Sequence, residues 1–449
     1  MHGRFARLFA SRRALWPVLA ALVLRLAAAW AVEERLEEQG ADVLVAGDAG
    51  GYLDLAADIA ERREYAVDSG VFPRKAMRTP LFPLVLAGPL WLNLHAEWLP
   101  SRDAVWLCRL AVVFCGVAAV WATGRLGDAI GGPRVGELAA WLAALNPLAI
   151  AFSTMLLSES LFAALLTLSV AGVAECVRRD PLTGDEPRSL RWGPAIWAGL
   201  AAAGACLTRP VWLPFVPCVV TLGCLLAWRS GDLRRAGWTT AFAIAFLIGF
   251  APWPLRNQRV LGEPVMTTTW GGPTLYDSLG PQATGASDMR FRDRWAAAGG
   301  TLRPELDTLP PEQDFDLPSV IVQRFRSDQT EVKAWAGKSI QSLKPEPDAA
   351  RGEIFKAAIK GDEVASDRLY KAAAWNAAGD DPLRVARLAV VKQGRYWRPW
   401  PVGGMPGGVS GLVLKAGFAA FFLPLVGLAA WGACDCGEGG KARWIACGR

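Results

Sequence analysis

Residues 104–124 read AVWLCRLAVVFCGVAAVWATG, an almost uninterrupted apolar run. Coiled as a helix it is about 31 Å long, the thickness of a bilayer's hydrocarbon core. Comparable runs recur at about 14–32, 135–152, 159–177, 193–208, 211–228, 237–255 and 409–432. They predict an all-α integral membrane protein, a polytopic helical bundle of about eight spans. Over all 449 residues the chain is 52% apolar and 20% charged, against roughly 25% charged in a soluble domain. The deficit is small because residues 257–400 have a soluble composition.

The charges orient the bundle. Arg4, Arg7, Arg12 and Arg13 precede the first run, and Arg125, Arg134, Arg178, Arg179, Arg188, Arg191, Arg229, Arg234 and Arg235 fall in alternate loops. The positive-inside rule places these loops in the cytoplasm. That parity holds only if the shorter run at 80–97, with Pro83 and Pro89, lies along the membrane instead of crossing it. The first run, interrupted by Arg25, reads as an uncleaved anchor. The division expected is a membrane domain over 1–256 with an outer loop at 33–103, then an extracytoplasmic helical and loop region at 257–408. A last transmembrane helix at 409–432 and a Cys/Gly-rich tail at 433–449 follow. Within the outer region, Ala/Lys/Glu-rich stretches at 329–342 and 351–376 favour helices, and Pro345, Pro347 and Pro382 break them.

Simple counts remove several chemistries. The chain has two histidines, His2 and His95, which excludes Ser-His-Asp triads, HExxH zinc hydrolases and most His-ligated metals. No phosphate-cradling GxxxxGK[ST] loop occurs. The net charge of +6 sits in short loops between apolar runs, which is a membrane pattern and not a nucleic-acid stripe. No cysteine lies in 257–400, so that region is not a disulfide scaffold.

Against this background a few polar positions stand out. Gly47-Asp48-Ala49 opens an amphipathic stretch in which Tyr52, Leu55, Ala56 and Ile59 recur at helical spacing. Asp48 reads as the N-cap of that helix, or as a functional carboxylate at the mouth of a membrane cavity; the residues alone leave both open. Arg78-Thr79-Pro80-Leu81-Phe82-Pro83 offers an arginine that snorkels to lipid headgroups or forks onto a specific phosphate. Glu159, in Ser158-Glu159-Ser160, starts a span where the helix dipole alone favours it. Arg209, in Leu207-Thr208-Arg209-Pro210, is a basic residue on the face the charge bias avoids. Arg256 lies in Pro252-Trp253-Pro254-Leu255-Arg256-Asn257 at the end of a span, where Trp253, like Trp270, suits an aromatic belt. One acidic loop and three arginines on one side suit a phosphate-bearing substrate at the membrane surface and an acceptor that must lose a proton.

These motifs, with Leu156-Leu157-Ser158-Glu159-Ser160-Leu161-Phe162 and Gly271-Gly272-Pro273-Thr274-Leu275-Tyr276, resemble in order and spacing those of the GT-C membrane glycosyltransferases. The bacterial protein-mannosyltransferase-like and aminoarabinose-transferase-like groups are the most similar, over roughly residues 14–280. The resemblance implies transfer of a sugar from a polyprenyl-phosphate donor to a protein, lipid or glycan acceptor, on the outer face of a bacterial cytoplasmic membrane. Asp48 would be the catalytic base. Arg78, Arg209 and Arg256 would contact the donor phosphate, with Glu159 and Tyr52 in support. The chain departs from the pattern twice. Ala49 stands where many relatives carry a second acidic residue, so no metal or other cofactor is implied, and one span follows the outer region where relatives have several, as in a C-terminally shortened relative. The alternatives are a transporter or flippase of a lipid-linked sugar, marked by charges buried in mid-span, and a non-catalytic relative.

Overall fold

The structure, a computed structural model, describes residues 12–40, 46–68, 73–96, 101–177, 192–281, 283–286, 363–398 and 408–437. The predicted helix at 329–342 and the start of that at 351–376 lie outside the described residues.

The protein is an all-α membrane protein. In chain order its helices are α1 (Arg12–Gln39), α2 (Ala46–Arg62), α3 (Leu81–Ala96), α4 (Ser101–Gly131), α5 (Pro133–Ala144), α6 (Pro147–Phe152), α7 (Glu159–Val177), α8 (Trp192–Thr208), α9 (Phe215–Ser230), α10 (Leu233–Phe250), α11 (Pro252–Leu261), α12 (Gly271–Leu279), α13 (Glu363–Asp380), α14 (Pro382–Tyr396) and α15 (Gly408–Gly437). A two-residue antiparallel ladder, β1 (Val67–Asp68) with β2 (Pro73–Arg74), closes the loop between α2 and α3. Among the described residues five stretches are long and apolar enough to cross a bilayer: Leu15–Gln39, Ala104–Gly131, Glu159–Val177, Pro210–Ser230 and Leu233–Leu261. The run at 80–97 forms the shorter α3, which carries Pro89.

The span expected at 135–152 is not one helix. Pro147 forces the preceding Asn146 into an extended conformation (φ −64°, ψ 113°), and the Asn146 side chain accepts from the Ala149 N–H at 3.1 Å, capping α6. The break leaves the last carbonyls of α5 without helical partners in apolar surroundings, where an unmet polar group is costly. Arg25 of α1 meets them, with Nη1 donating to the Ala144 carbonyl at 3.2 Å and Nη2 to that of Ala143 at 3.3 Å. Its Nε donates to Ser153 Oγ at 3.2 Å. A second arginine, Arg109 of α4, donates to the Thr154 carbonyl at 2.7 Å and pairs with Glu33 of α1 at 2.9 Å. Both arginines are 1% exposed. Gly116 makes room, since a Cβ there would lie 2.1 Å from Ser153 Oγ.

Close approach by small residues assembles the rest. The buried face of α8 is Ala198, Gly199, Ala202, Ala203 and Cys206, and Phe242, Phe246 and Phe250 of α10 pack on it. A Cβ on Gly199 would lie 2.3 Å from the Phe242 carbonyl oxygen. Helices α4 and α5 meet likewise at Gly124, Gly127 and Gly136. Such contacts are the usual basis of helix association where no water is left to exclude. At one end of the bundle Tyr52, Phe82, Leu86, Cys108, Val112, Leu156, Leu157 and Leu161 form a core that joins α2, α3, α4 and α7.

Gly199→Val is expected to push α8 off α10 and destabilise the protein by about 1–3 kcal/mol, the usual cost of overpacking. Gly394→Ala on the exposed side of α14, where a Cβ meets nothing within 4 Å, should leave stability unchanged or raise it by up to about 1 kcal/mol through helix propensity. Thermal unfolding of both variants in detergent checks the contrast.

Candidate functional site

The site is built on residues 75–79, between β2 and α3, which form bends and no regular structure. Their backbone is held by side chains and strands of chain from distant parts of the sequence. The Lys75 and Ala76 N–H groups donate to Glu363 Oε1 and Oε2 at 2.9 and 3.2 Å. The Lys75 carbonyl accepts from Arg256 Nη1 at 2.5 Å, and the Ala76 carbonyl from the Thr269 N–H at 2.8 Å. The Met77 carbonyl accepts from Thr268 Oγ1, and the Arg78 carbonyl from the Tyr65 hydroxyl at 3.0 Å. Burial pushes the Tyr65 pKa well up, so its hydroxyl stays neutral and able to donate. Thr79 Oγ1 donates to the Thr208 carbonyl, the last residue of α8, at 2.7 Å.

This scaffold aims Arg78 at one face of α2. Its Nη2 lies 2.6 Å from Asp48 Oδ1, and its guanidinium carbon is 4.8 Å from the centroid of the Tyr52 ring. Asp48 and Tyr52 are one turn apart, so both face the arginine. The Tyr52 ring is fixed edge-on against Phe82, 4.9 Å between centroids. Burial works against the Arg78 charge, but Tyr52 and Asp48 beside it outweigh that and raise its pKa. The guanidinium is thus a permanent cation, and its side chain is 18% exposed against 63% for Asp48.

The expected N-cap position of Asp48 is corrected here. α2 begins at Ala46, and Asp48 sits within its first turn. Its carboxylate is favoured by the helix dipole but does not close the helix end.

A second ion pair stands beside the first. Glu159, in the first turn of α7, lies 2.5 Å from Arg209 Nη1, in the extended residue that follows α8. Glu159 Oε2 is buried and has no hydrogen-bond partner among the described residues. The two pairs are joined through the Thr79–Thr208 bond, since Arg78 adjoins Thr79 and Arg209 adjoins Thr208. Asp48, Tyr52, Arg78, Glu159 and Arg209 are therefore carried by one connected frame.

Arg256 is placed differently. Besides Lys75 it reaches the Tyr65 carbonyl at 3.1 Å and Asn257 Oδ1 at 3.0 Å, with its guanidinium carbon 5.2 Å from the Tyr65 ring and 5.1 Å from the Trp253 ring. It braces the loop that presents Arg78. Trp253, expected in an aromatic belt, is buried and donates to the Thr267 carbonyl at 2.6 Å. Trp270 lies under the Arg74 guanidinium at 5.3 Å. Among the described residues no three His, Cys, Asp or Glu side chains gather closely enough to share a metal ion.

Glu363 was not marked by the sequence, where it is one more acidic residue in an Ala/Lys-rich helix. It is 3% exposed, and it also accepts from Thr269 Oγ1 at 2.8 Å. One turn on, Asp367 Oδ1 accepts from the Gly272 N–H at 2.5 Å. A Cβ at Gly272 would lie 2.1 Å from the Asp367 carbonyl oxygen, so only glycine admits α13 this closely.

No protein-family profile and no curated protein sequence matches the chain. Among solved structures it is similar to the Archaeoglobus fulgidus oligosaccharyltransferase in its apo form, with 11% identity and a TM-score of 0.41. The match covers 91% of this chain and 55% of the archaeal one, so this chain spans about half the length of that protein.

Glu363→Ala removes the acceptor of the buried Ala76 N–H and of the part-buried Lys75 N–H. The expected cost is about 1–3 kcal/mol for each group that water does not reach. Glu363→Gln keeps one acceptor oxygen and should cost less. Thermal unfolding in detergent should rank the stabilities as wild type, Gln, Ala.

Proposed function

We propose that the chain is a membrane glycosyltransferase that moves a sugar from a polyprenyl-phosphate donor to an acceptor on the extracytoplasmic side of a bacterial cytoplasmic membrane. The observation that carries this reading is the contact of Asp48 with Arg78. A carboxylate able to take a proton and a guanidinium able to hold phosphate come from motifs 30 residues apart and meet at 2.6 Å. The order of the motifs over residues 14–280, and the connection of Glu159 and Arg209 to the same frame, support it further.

In this reading Asp48 removes the proton from an acceptor hydroxyl or amine as that group attacks the anomeric carbon. The bond from that carbon to the phosphate oxygen breaks, and its electron pair leaves with the lipid phosphate. Arg78 stabilises the charge gathering there, and a fixed cation at a partly buried site does so without reorganising. Arg209 is the second phosphate cation, Glu159 orients it, and Tyr52 holds the Arg78 plane. Arg256 acts on the donor through the loop it braces. The acceptor is a protein, a lipid or a glycan.

Arg25, in mid-span, and Arg109, nearer the end of its span, are buried charges, the feature named above for a transporter. Arg25 is committed to carbonyls freed by the break between α5 and α6, and Arg109 to Glu33 and to the Thr154 carbonyl in the irregular segment after α6. Helix architecture accounts for them without a transport pathway.

The charge bias puts Asp48 and Arg78 outside and the turn near Ile130 inside. In a cysteine-free background a cysteine at 130 should resist an impermeant maleimide added to intact cells, and one at 48 should react. Labelling at 130 from outside contradicts the orientation.

Mass spectrometry of membrane glycolipids and glycoproteins should reveal a sugar adduct in cells carrying the wild-type chain. In cells carrying Asp48→Asn the adduct should fall by about 10²–10⁴-fold, the effect of losing a general base. Stability should fall by no more than about 1 kcal/mol, since Asn loses only the dipole and ion-pair contributions. An unchanged adduct in the variant overturns the catalytic role of Asp48.

A further inference from the structure

The two partners in the Asp48–Arg78 pair are held very differently. Arg78 is fixed at both ends. Its carbonyl is bonded to Tyr65, the next residue is bonded to Thr208, and its guanidinium lies over the Tyr52 ring. Asp48 is the exposed partner, and the contact between them is a single one, Nη2 to Oδ1. A guanidinium offers a two-pronged edge to phosphate, and a monodentate carboxylate uses only part of it. An anion arriving from the open side therefore finds the cation immobile and its current partner free to swing away.

On the donor-phosphate reading of Arg78 given above, we propose that Asp48 and the lipid phosphate compete for Arg78, so that donor binding releases the base. Before the donor arrives, the carboxylate is held by the guanidinium, with Oδ1 2.6 Å from Arg78 Nη2. When phosphate takes the guanidinium, Oδ1 of Asp48 is released and is free to accept the proton of the acceptor. The proton comes from the acceptor, whose oxygen or nitrogen forms the new bond to the anomeric carbon. The phosphate leaves with the electron pair of the broken bond and stays on Arg78. The donor therefore binds first, and the acceptor is activated only in its presence.

This makes removal of the base a gain for binding. The test uses the full chain in nanodiscs of zwitterionic lipid, with polyprenyl monophosphate as the probe. Asp48→Asn should bind it roughly three- to ten-fold more tightly than wild type, the scale set by releasing a part-exposed ion pair and removing a like charge beside the phosphate. Arg78→Gln should bind about 10–100-fold more weakly. In the double variant the gain from Asp48→Asn should vanish, because there is nothing left to compete for. Arg78→Lys, which keeps the charge, serves as the background if the glutamine variant fails to fold, and there the gain should shrink. Equal or weaker binding by Asp48→Asn, with binding still dependent on Arg78, overturns the competition and leaves the donor site standing. Binding that no Arg78 variant alters overturns the donor site itself, and the competition with it.

Discussion

Four consecutive carbonyls, from Lys75 to Arg78, have no helix or sheet to satisfy them, and each is met by a donor from elsewhere in the chain. The donors are Arg256, the Thr269 N–H, Thr268 and Tyr65, while Glu363 takes the two N–H groups at the start of the same segment. A buried backbone group left unpaired costs as much as a lost hydrogen bond, so the buried part of the segment, Ala76 and Met77, is stable where these elements converge. That requirement fixes the end of α2, the start of α11, the approach to α12 and the first turn of α13 around one short loop. The loop in turn gives Arg78 its direction.

The membrane side is organised by an analogous constraint. Breaking the helix at Asn146 and Pro147 frees carbonyls in apolar surroundings that Arg25 is buried to meet, and the irregular segment after α6 presents the Thr154 carbonyl that Arg109 meets. Segment 153–158 that follows the break leads directly into Glu159. Each half of the site is therefore supplied by irregular backbone that arginines stabilise: Arg256 for the loop before α3, Arg25 and Arg109 for the turn before α7. The Thr79–Thr208 bond joins the halves.

Much of the helical layout could be read from hydropathy, because a run of about 20 apolar residues has few other structures open to it. The break in 135–152 was harder to see, since Ala and Leu continue through it and only Asn146-Pro147 signals a stop. Asp48, Tyr52, Arg78, Glu159 and Arg209 were visible as polar residues out of place at the ends of apolar runs, and the structure gathers all five. Arg256 was equally visible, but its bonding to Lys75 and Tyr65 depends on how a loop folds, which no local pattern encodes. Arg109 was hidden by the apolar run around it. Glu363 was hidden for the opposite reason, as a charged residue in a polar helix whose burial arises only when α13 docks on Gly272.

The central proposal is one of place, that the lipid phosphate is seated at Arg78, on the frame that residues 75–79 create. A cryo-EM map of the full chain in nanodiscs with polyprenyl phosphate tests it most directly. The account predicts phosphate density within about 3 Å of the Arg78 guanidinium, the distance of a charge-assisted hydrogen bond, with Asp48 turned away from it. Phosphate density at another face of the bundle, with Asp48 still paired to Arg78, would contradict it.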